Sequence, residues 1–188
     1  MQDDPLINVA RTLPRSAVNG PGERFVVWVQ GCSLRCPGCW NPDTWSVKPR
    51  RPVRASALAQ EILGASGIEG VTLTGGEPFE QASALVHLVT PLRQAGLSVM
   101  AFTGFRLDEL GDERRRALLS LCDVVVAGRY VRALRAELGW RGSSNQRVHF
   151  LTDRYTPAAV PDAPECEVYI EPDGSLTMTG FPITWHTR

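Results

Sequence analysis

Three cysteines, Cys32, Cys36 and Cys39, lie within eight residues at the spacing C-x3-C-x2-C, directly after the apolar, β-branched run Phe25 to Gln30. The run reads as a strand, so the cysteines open a loop at a strand's carboxyl end, where parallel α/β sheets place their ligands. A four-iron (4Fe–4S) cube normally takes four cysteine ligands. Three local ligands and no obvious fourth leave one iron open to a small molecule.

The competing reading is structural zinc, because Cys36-Pro37-Gly38-Cys39 is also a C-x2-C knuckle. A closed zinc site needs a second ligand pair at suitable spacing. Cys122 and Cys166 are isolated, and His87, His149 and His186 form no paired arrangement. A chain of 188 residues can build a substantial core without disulfides. Cys122 and Cys166 are therefore expected to be buried hydrophobes.

A second strand, Val71 to Thr74, runs directly into Gly75-Gly76-Glu77-Pro78. Two chemical motifs at two strand ends point to one site. Ser56 to Leu63 and Phe79 to Gln94 read as helices, the second with Leu85, Leu88, Val89 and Leu92 on one stripe. Further strands are expected at Leu97 to Thr103, Val124 to Ala127, Arg147 to Leu151 and Val168 to Ile170. Helices are expected near Glu113 to Leu121 and Val131 to Leu138. Alternation of this kind predicts βαβ units and an α/β fold. We expect one domain over residues 1–188, with Thr156 to Pro164 as a surface loop.

No signal peptide and no membrane-length apolar run is visible, so a cytoplasmic location is expected. Twenty basic residues balance twenty acidic ones, which gives no broad attraction to nucleic acid. Arg114, Arg115 and Arg116 read as a solvated helix face. Lys48, Arg50, Arg51 and Arg54 lie closer in sequence to the cysteines, where a partner or substrate contact competes with that bland reading.

The cysteine loop Gly31-Cys32-Ser33-Leu34-Arg35-Cys36-Pro37-Gly38-Cys39-Trp40-Asn41-Pro42, with Thr44-Trp45, resembles that of the activating proteins for anaerobic ribonucleotide reductase, within the radical S-adenosylmethionine (SAM) superfamily. Gly75 to Pro78, Phe102-Thr103-Gly104, Asp123 to Gly128, Gly142-Ser143-Ser144-Asn145-Gln146 and Thr179-Gly180-Phe181-Pro182 are similar to segments of the same subfamily. The resemblance implies a partial (β/α) barrel of six strands, with a cluster loop at 31–46 and a SAM-binding segment at 75–78. Cys32, Cys36 and Cys39 would carry the 4Fe–4S cluster, and SAM would chelate the open iron. Reductive cleavage would then give a 5′-deoxyadenosyl radical able to abstract hydrogen.

Gly75 and Gly76 allow close backbone approach, and Glu77 offers an acceptor for the SAM ammonium. Pro78 suits the first turn of the following helix. Thr103, at a strand end on the same face, is positioned for the ribose. Asn145 and Gln146 carry amides able to read a base edge or a peptide, or else to cap their own turn. Trp40 and Trp45 either shield the cluster or pack the core. The implied partner is a glycyl radical enzyme whose glycine loses the hydrogen, with flavodoxin or ferredoxin as reductant. A small molecule or ribosomal peptide as substrate stays open, as does a non-catalytic iron–sulfur or zinc module.

Overall fold

The computed structural model describes residues 4–170 and 173–181. In chain order the first elements are β1 (Leu6–Ser16), β2 (Arg24–Val29), β3 (Arg51–Arg54) and α1 (Ala55–Leu63). Then come β4 (Gly70–Gly75), α2 (Ala82–Gln94), β5 (Ser98–Thr103), α3 (Glu113–Leu119) and β6 (Val124–Ala127). A hairpin of β7 (Arg135–Leu138) and β8 (Arg141–Ser143) precedes β9 (Arg147–Phe150), and a second hairpin pairs β10 (Cys166–Ile170) with β11 (Leu176–Gly180). Seven of these strands form one mixed sheet in the order β3-β1-β2-β4-β5-β6-β9.

Strands β2, β4, β5 and β6 are parallel, while β1 and β9 run antiparallel to their neighbours. Parallel neighbours require long crossovers. Here α1, α2 and α3 supply them and cover one face of the sheet. Val27 and Val29 of β2, Leu73 of β4 and Val99 of β5 pack with Leu58, Ile62, Leu85, Leu88, Leu92 and Leu118 from the helices. Every residue of β2 is buried, as expected of a strand enclosed on both faces.

The opposite face carries a smaller cluster around Met100, Val124, Val126 and Trp140, joined by Phe102, Tyr155 and Phe181. At the amino-terminal end of that face sits Arg24, fully buried. At the carboxyl-terminal end the side chains withdraw and leave a cavity. Among the described residues no helix is long and apolar enough to cross a membrane.

Four expectations need correcting. Residues 131–138 form no helix but a short 3-10 turn, Arg132–Leu134, followed by β7. Val131, Leu134 and Leu138 have helical spacing, yet Val131 and Leu134 face solvent, and the pairing of Arg135 with Ser143 decides the conformation. The helix expected from Phe79 begins as a 3-10 turn, Pro78–Gln81, and becomes α-helical only at Ala82. Cys166 is exposed on β10, whereas Cys122 is buried as expected. The six-stranded alternation is also reduced. Four strands are parallel, and β9 returns antiparallel because a hairpin, not a helix, leads into it.

Candidate active site

The carboxyl ends of β2, β4, β5 and β6 open into one cavity of about 1230 Å³, counted with its open mouth. Cys32, Cys36, Cys39, Gly75, Gly76, Glu77, Thr103 and Gln146 all line it. Pro78 and Asn145 do not. Pro78 is buried at the start of its 3-10 turn, and the exposed Asn145 donates from Nδ2 to the Arg129 carbonyl at 2.8 Å. Pro182 and His186 lie outside the described residues.

The cysteine loop is pinned at its base, where Gly31 N–H donates to the Thr44 carbonyl at 2.7 Å and Cys32 N–H to that of Trp45 at 3.2 Å. Ser33 is tied through its N–H and hydroxyl to the Glu80 carboxylate. Arg35 and Gly38 take left-handed conformations, at φ 44° and 80°, and turn the loop back on itself. Backbone amides meet all three sulfurs. Asn41 N–H donates to Cys39 Sγ at 3.4 Å, those of Leu34 and Arg35 face Cys32, and that of Tyr130 faces Cys36. Burial pushes the thiols of Cys32 and Cys36 up, while these amides favour their thiolates.

Among the described residues no three Cys, His, Asp or Glu side chains converge as they would on one metal ion. Cys32, Cys36 and Cys39 nevertheless line one cavity, and a four-iron cube takes one thiolate on each iron it binds through the protein. Trp45, whose ring lines the same cavity, also keeps a buried Nε1–H without an acceptor among the described residues. Amides aimed at sulfur and an orphaned indole donor fit a sulfide-rich group.

Gly75 and Gly76 are required by the protein itself as much as by any ligand. Gly76 N–H donates to the Val29 carbonyl and Glu77 N–H to the Gly31 carbonyl, both at 2.8 Å, so this segment is laced to the root of the cysteine loop. A Cβ on Gly76 would lie 2.2 Å from the Gly31 carbonyl oxygen. Gly75 has φ 92° and would press a Cβ to 2.8 Å from the Trp28 backbone. Gly76→Ala is therefore expected to destabilise by about 3 kcal/mol, the upper part of the usual overpacking range. That should lower the melting temperature by roughly 6–12 °C. A melt within about two degrees of wild type would show that the two loops can part without cost.

Glu77 is buried and already engaged. Its Oε1 accepts from Phe79 N–H at 3.0 Å and from the Thr103 hydroxyl at 2.8 Å, and its Oε2 accepts from Gly104 N–H at 2.8 Å. A carboxylate has about four acceptor positions, so one is left at the cavity wall. Thr103 also accepts from Phe105 N–H at 3.1 Å, which spends its hydroxyl in holding Glu77. Burial pushes the Glu77 carboxyl from 4.5 to about 7 against these three donors.

The folded chain then keeps a proton that the unfolded chain loses near pH 4.5. Stability from this group is complete below that pH and falls by roughly 3 kcal/mol as pH rises to about 7. Glu77→Gln should flatten the decline in cluster-free protein, as read by melts at about pH 5 and about pH 8. Equal pH slopes for wild type and variant would refute the assignment.

Gln146 reaches the cavity with a spent amide. Its Oε1 accepts from Gly142 N–H at 2.9 Å and Ser143 N–H at 3.1 Å, and its Nε2 donates to the Gly128 carbonyl at 3.0 Å. It shapes the wall. Trp40 stands at the rim against Phe181, ring centroids 5.2 Å apart, while Trp45 lines the cavity beside the cysteine loop. Sequence reasoning overlooked Arg11, Asn19 and Trp28, which also line the cavity. The only signal for Arg11 was a break in the alternation begun by Ile7 and Val9.

Comparison with known proteins agrees with this geometry. Residues 18–149 match the family described as 4Fe-4S single cluster domain, a span that includes the cysteine loop, Gly75 to Glu77 and Thr103. The anaerobic ribonucleoside-triphosphate reductase-activating protein of Escherichia coli K12 is 36% identical over 154 residues, covering 77% of this chain and 99% of that protein. Its counterpart in phage T4 is 34% identical over 154 residues, covering 78% and 96%. Among solved structures, QueE from Escherichia coli aligns with a TM-score of 0.42 at 20% identity over 53% of this chain and 52% of its own, a partial likeness that adds nothing further. With three thiols set around one space in a domain of this kind, the chain belongs to the family of anaerobic ribonucleoside-triphosphate reductase-activating proteins.

Proposed function

We propose that this protein is a radical SAM enzyme that activates a glycyl radical enzyme by abstracting hydrogen from one of its glycines. The relatives' name supports a protein partner, an anaerobic ribonucleoside-triphosphate reductase. The observation that carries the reading is the meeting of Cys32, Cys36 and Cys39 with Gly75, Gly76 and Glu77 on the walls of one cavity. Reduced cluster and SAM, when bound, supply a carbon radical by one-electron cleavage of the sulfonium.

The chain's own residues do the rest. Cys32, Cys36 and Cys39 would hold the cluster through three of its irons. Glu77 takes the SAM ammonium on its remaining acceptor, Thr103 and Gly104 hold that carboxylate still, and Gly75 and Gly76 bring backbone to the same wall. Gln146 shapes the wall beyond β6 on the nucleoside side, and Asn145 fastens the loop behind it through the Arg129 carbonyl. Trp40 and Phe181 exclude water at the rim.

We read the four parallel strands, with their helices on one face, as a partial (β/α) barrel in one domain over residues 1–188, whose open side admits the glycine-bearing loop. A cytoplasmic protein reduced by flavodoxin or ferredoxin is consistent with the need for reduced thiols. Anaerobic reconstitution with iron and sulfide, then dithionite and SAM, should yield 5′-deoxyadenosine, and addition of the partner should yield a glycyl EPR signal. Deoxyadenosine without any glycyl signal would move the substrate to another class, and absence of both would overturn the reading.

A further inference from the structure

Arg11 carries a charge that nothing in the reaction scheme above uses. It is the one Arg or Lys among the described residues that line the cavity. Its place there is set by an irregularity of β1. Val9 pairs with Val29, but Arg11, not Ala10, pairs with Trp28, so one extra residue is inserted between them. Ile7, Val9, Val27 and Val29 all face the helices. In regular register Arg11 would oppose Val27 and face that apolar layer. The extra residue turns it to the cavity side beside Trp28, and bulges commonly re-aim a side chain near a site in this way.

The guanidinium lies over the Trp28 ring, 4.0 Å from its centroid, which holds it at the wall. Among the described residues it takes no hydrogen bond and no ion pair, and its surroundings withdraw water from it. The carboxylate acting on it through space, Asp43, is engaged at the surface by Arg50 at 3.3 Å. A half-buried, stacked cation with free donors normally finds an acceptor. Glu77, the acid among the described residues that line the same cavity, is committed to Phe79, Thr103 and Gly104.

We propose that Arg11 is an anion anchor of the cavity that binds a carboxylate through a charge-assisted pair. The inference rests on the functional reading above and extends it to ligand recognition. Two sources offer that chemistry: the carboxylate of SAM, and an acidic side chain on the partner's glycine-bearing loop. The ammonium of SAM and its carboxylate would then be read by opposite charges, Glu77 and Arg11.

The test compares wild type with Arg11→Met, which keeps the stem against Trp28, and Arg11→Lys, which keeps charge without the fork. Each is reconstituted anaerobically, checked for iron content and melting temperature, and titrated calorimetrically with SAM and with decarboxylated SAM. If the carboxylate of SAM is the ligand, Arg11→Met weakens SAM binding about tenfold or more and leaves the decarboxylated analogue unchanged. If the partner supplies it, SAM binding stays constant while the apparent KM for the partner rises about tenfold at unchanged kcat, with Arg11→Lys intermediate. Unchanged SAM affinity together with unchanged KM would overturn the anchor while leaving the functional reading intact. Wild-type protein that binds no SAM would overturn the functional reading and the anchor with it.

Discussion

Cys36→Ala is expected to abolish both the four-iron EPR signal and 5′-deoxyadenosine formation, with activity falling by more than about a hundredfold. Loss of outer-shell partners alone typically costs a metal site 10–100-fold, and here a proposed ligand itself is removed. The loop has no substitute. Cys122 is buried, its thiol bonded to the Leu118 carbonyl and pushed up to about 12, and Cys166 lies exposed on β10 outside the cavity lining. Cys122→Ala and Cys166→Ala should therefore keep the wild-type cluster, which makes them controls for chemical against structural loss. Iron content and EPR read the result directly. A Cys36→Ala protein that retains a four-iron signal and cleaves SAM would sink the three-thiolate site.

Arg24→Met is expected to be the most destabilising single change away from the cavity, at about 3–5 kcal/mol. The guanidinium is fully buried, forms no ion pair among the described residues, and meets five acceptors. Nε donates to Thr72 Oγ1 at 2.6 Å, Nη1 to the Pro21 carbonyl and Ser98 Oγ at 2.9 Å each, and Nη2 to the carbonyls of Val71 at 2.7 Å and Ser98 at 3.3 Å. It ties the turn before β2 to β4 and β5 at the end of the sheet away from the cavity.

Methionine fills much of the volume but removes a buried donor from all five oxygens, of which only the Ser98 and Thr72 hydroxyls keep other side-chain hydrogen bonds among the described residues, and that loss costs more than the bonds were worth. Arg24→Lys should recover only part, because an ammonium cannot reproduce the planar fork. For a chain of this size the loss corresponds to a melting temperature lower by roughly 6–20 °C. If Arg24→Met melts with wild type, the network does not hold the sheet. Because Arg24 is absent from the cavity lining, the fraction that stays folded should bind iron normally.

Much of the site was legible in local sequence. The spacing of Cys32, Cys36 and Cys39 and the run Gly75 to Glu77 are short motifs at strand ends, and the apolar runs of β2, β4, β5 and β6 mark those strands without tertiary help. Thr103 was found by the same logic, although its hydroxyl serves Glu77. Residues 131–138 misled because a helical spacing of three apolar residues is also satisfied by a turn and a strand. Only the burial of a face separates the two, and here Val131 and Leu134 have no core to meet.

β1 and β3 were overlooked for a related reason. Edge and antiparallel strands with mixed faces show weak alternation, and the inserted residue in β1 breaks what little there is. From the sequence alone came the three cysteines that line the cavity, the order of the parallel strands' motifs along the chain and the α/β class, because each depends on neighbours within a few residues. The register that turns Arg11 toward Trp28, the five acceptors around Arg24, the acceptor left on Glu77 and the committed amide of Gln146 were decided by the tertiary structure. They depend on which strands lie side by side, and hydrogen bonds between residues dozens of positions apart leave no periodicity in the chain.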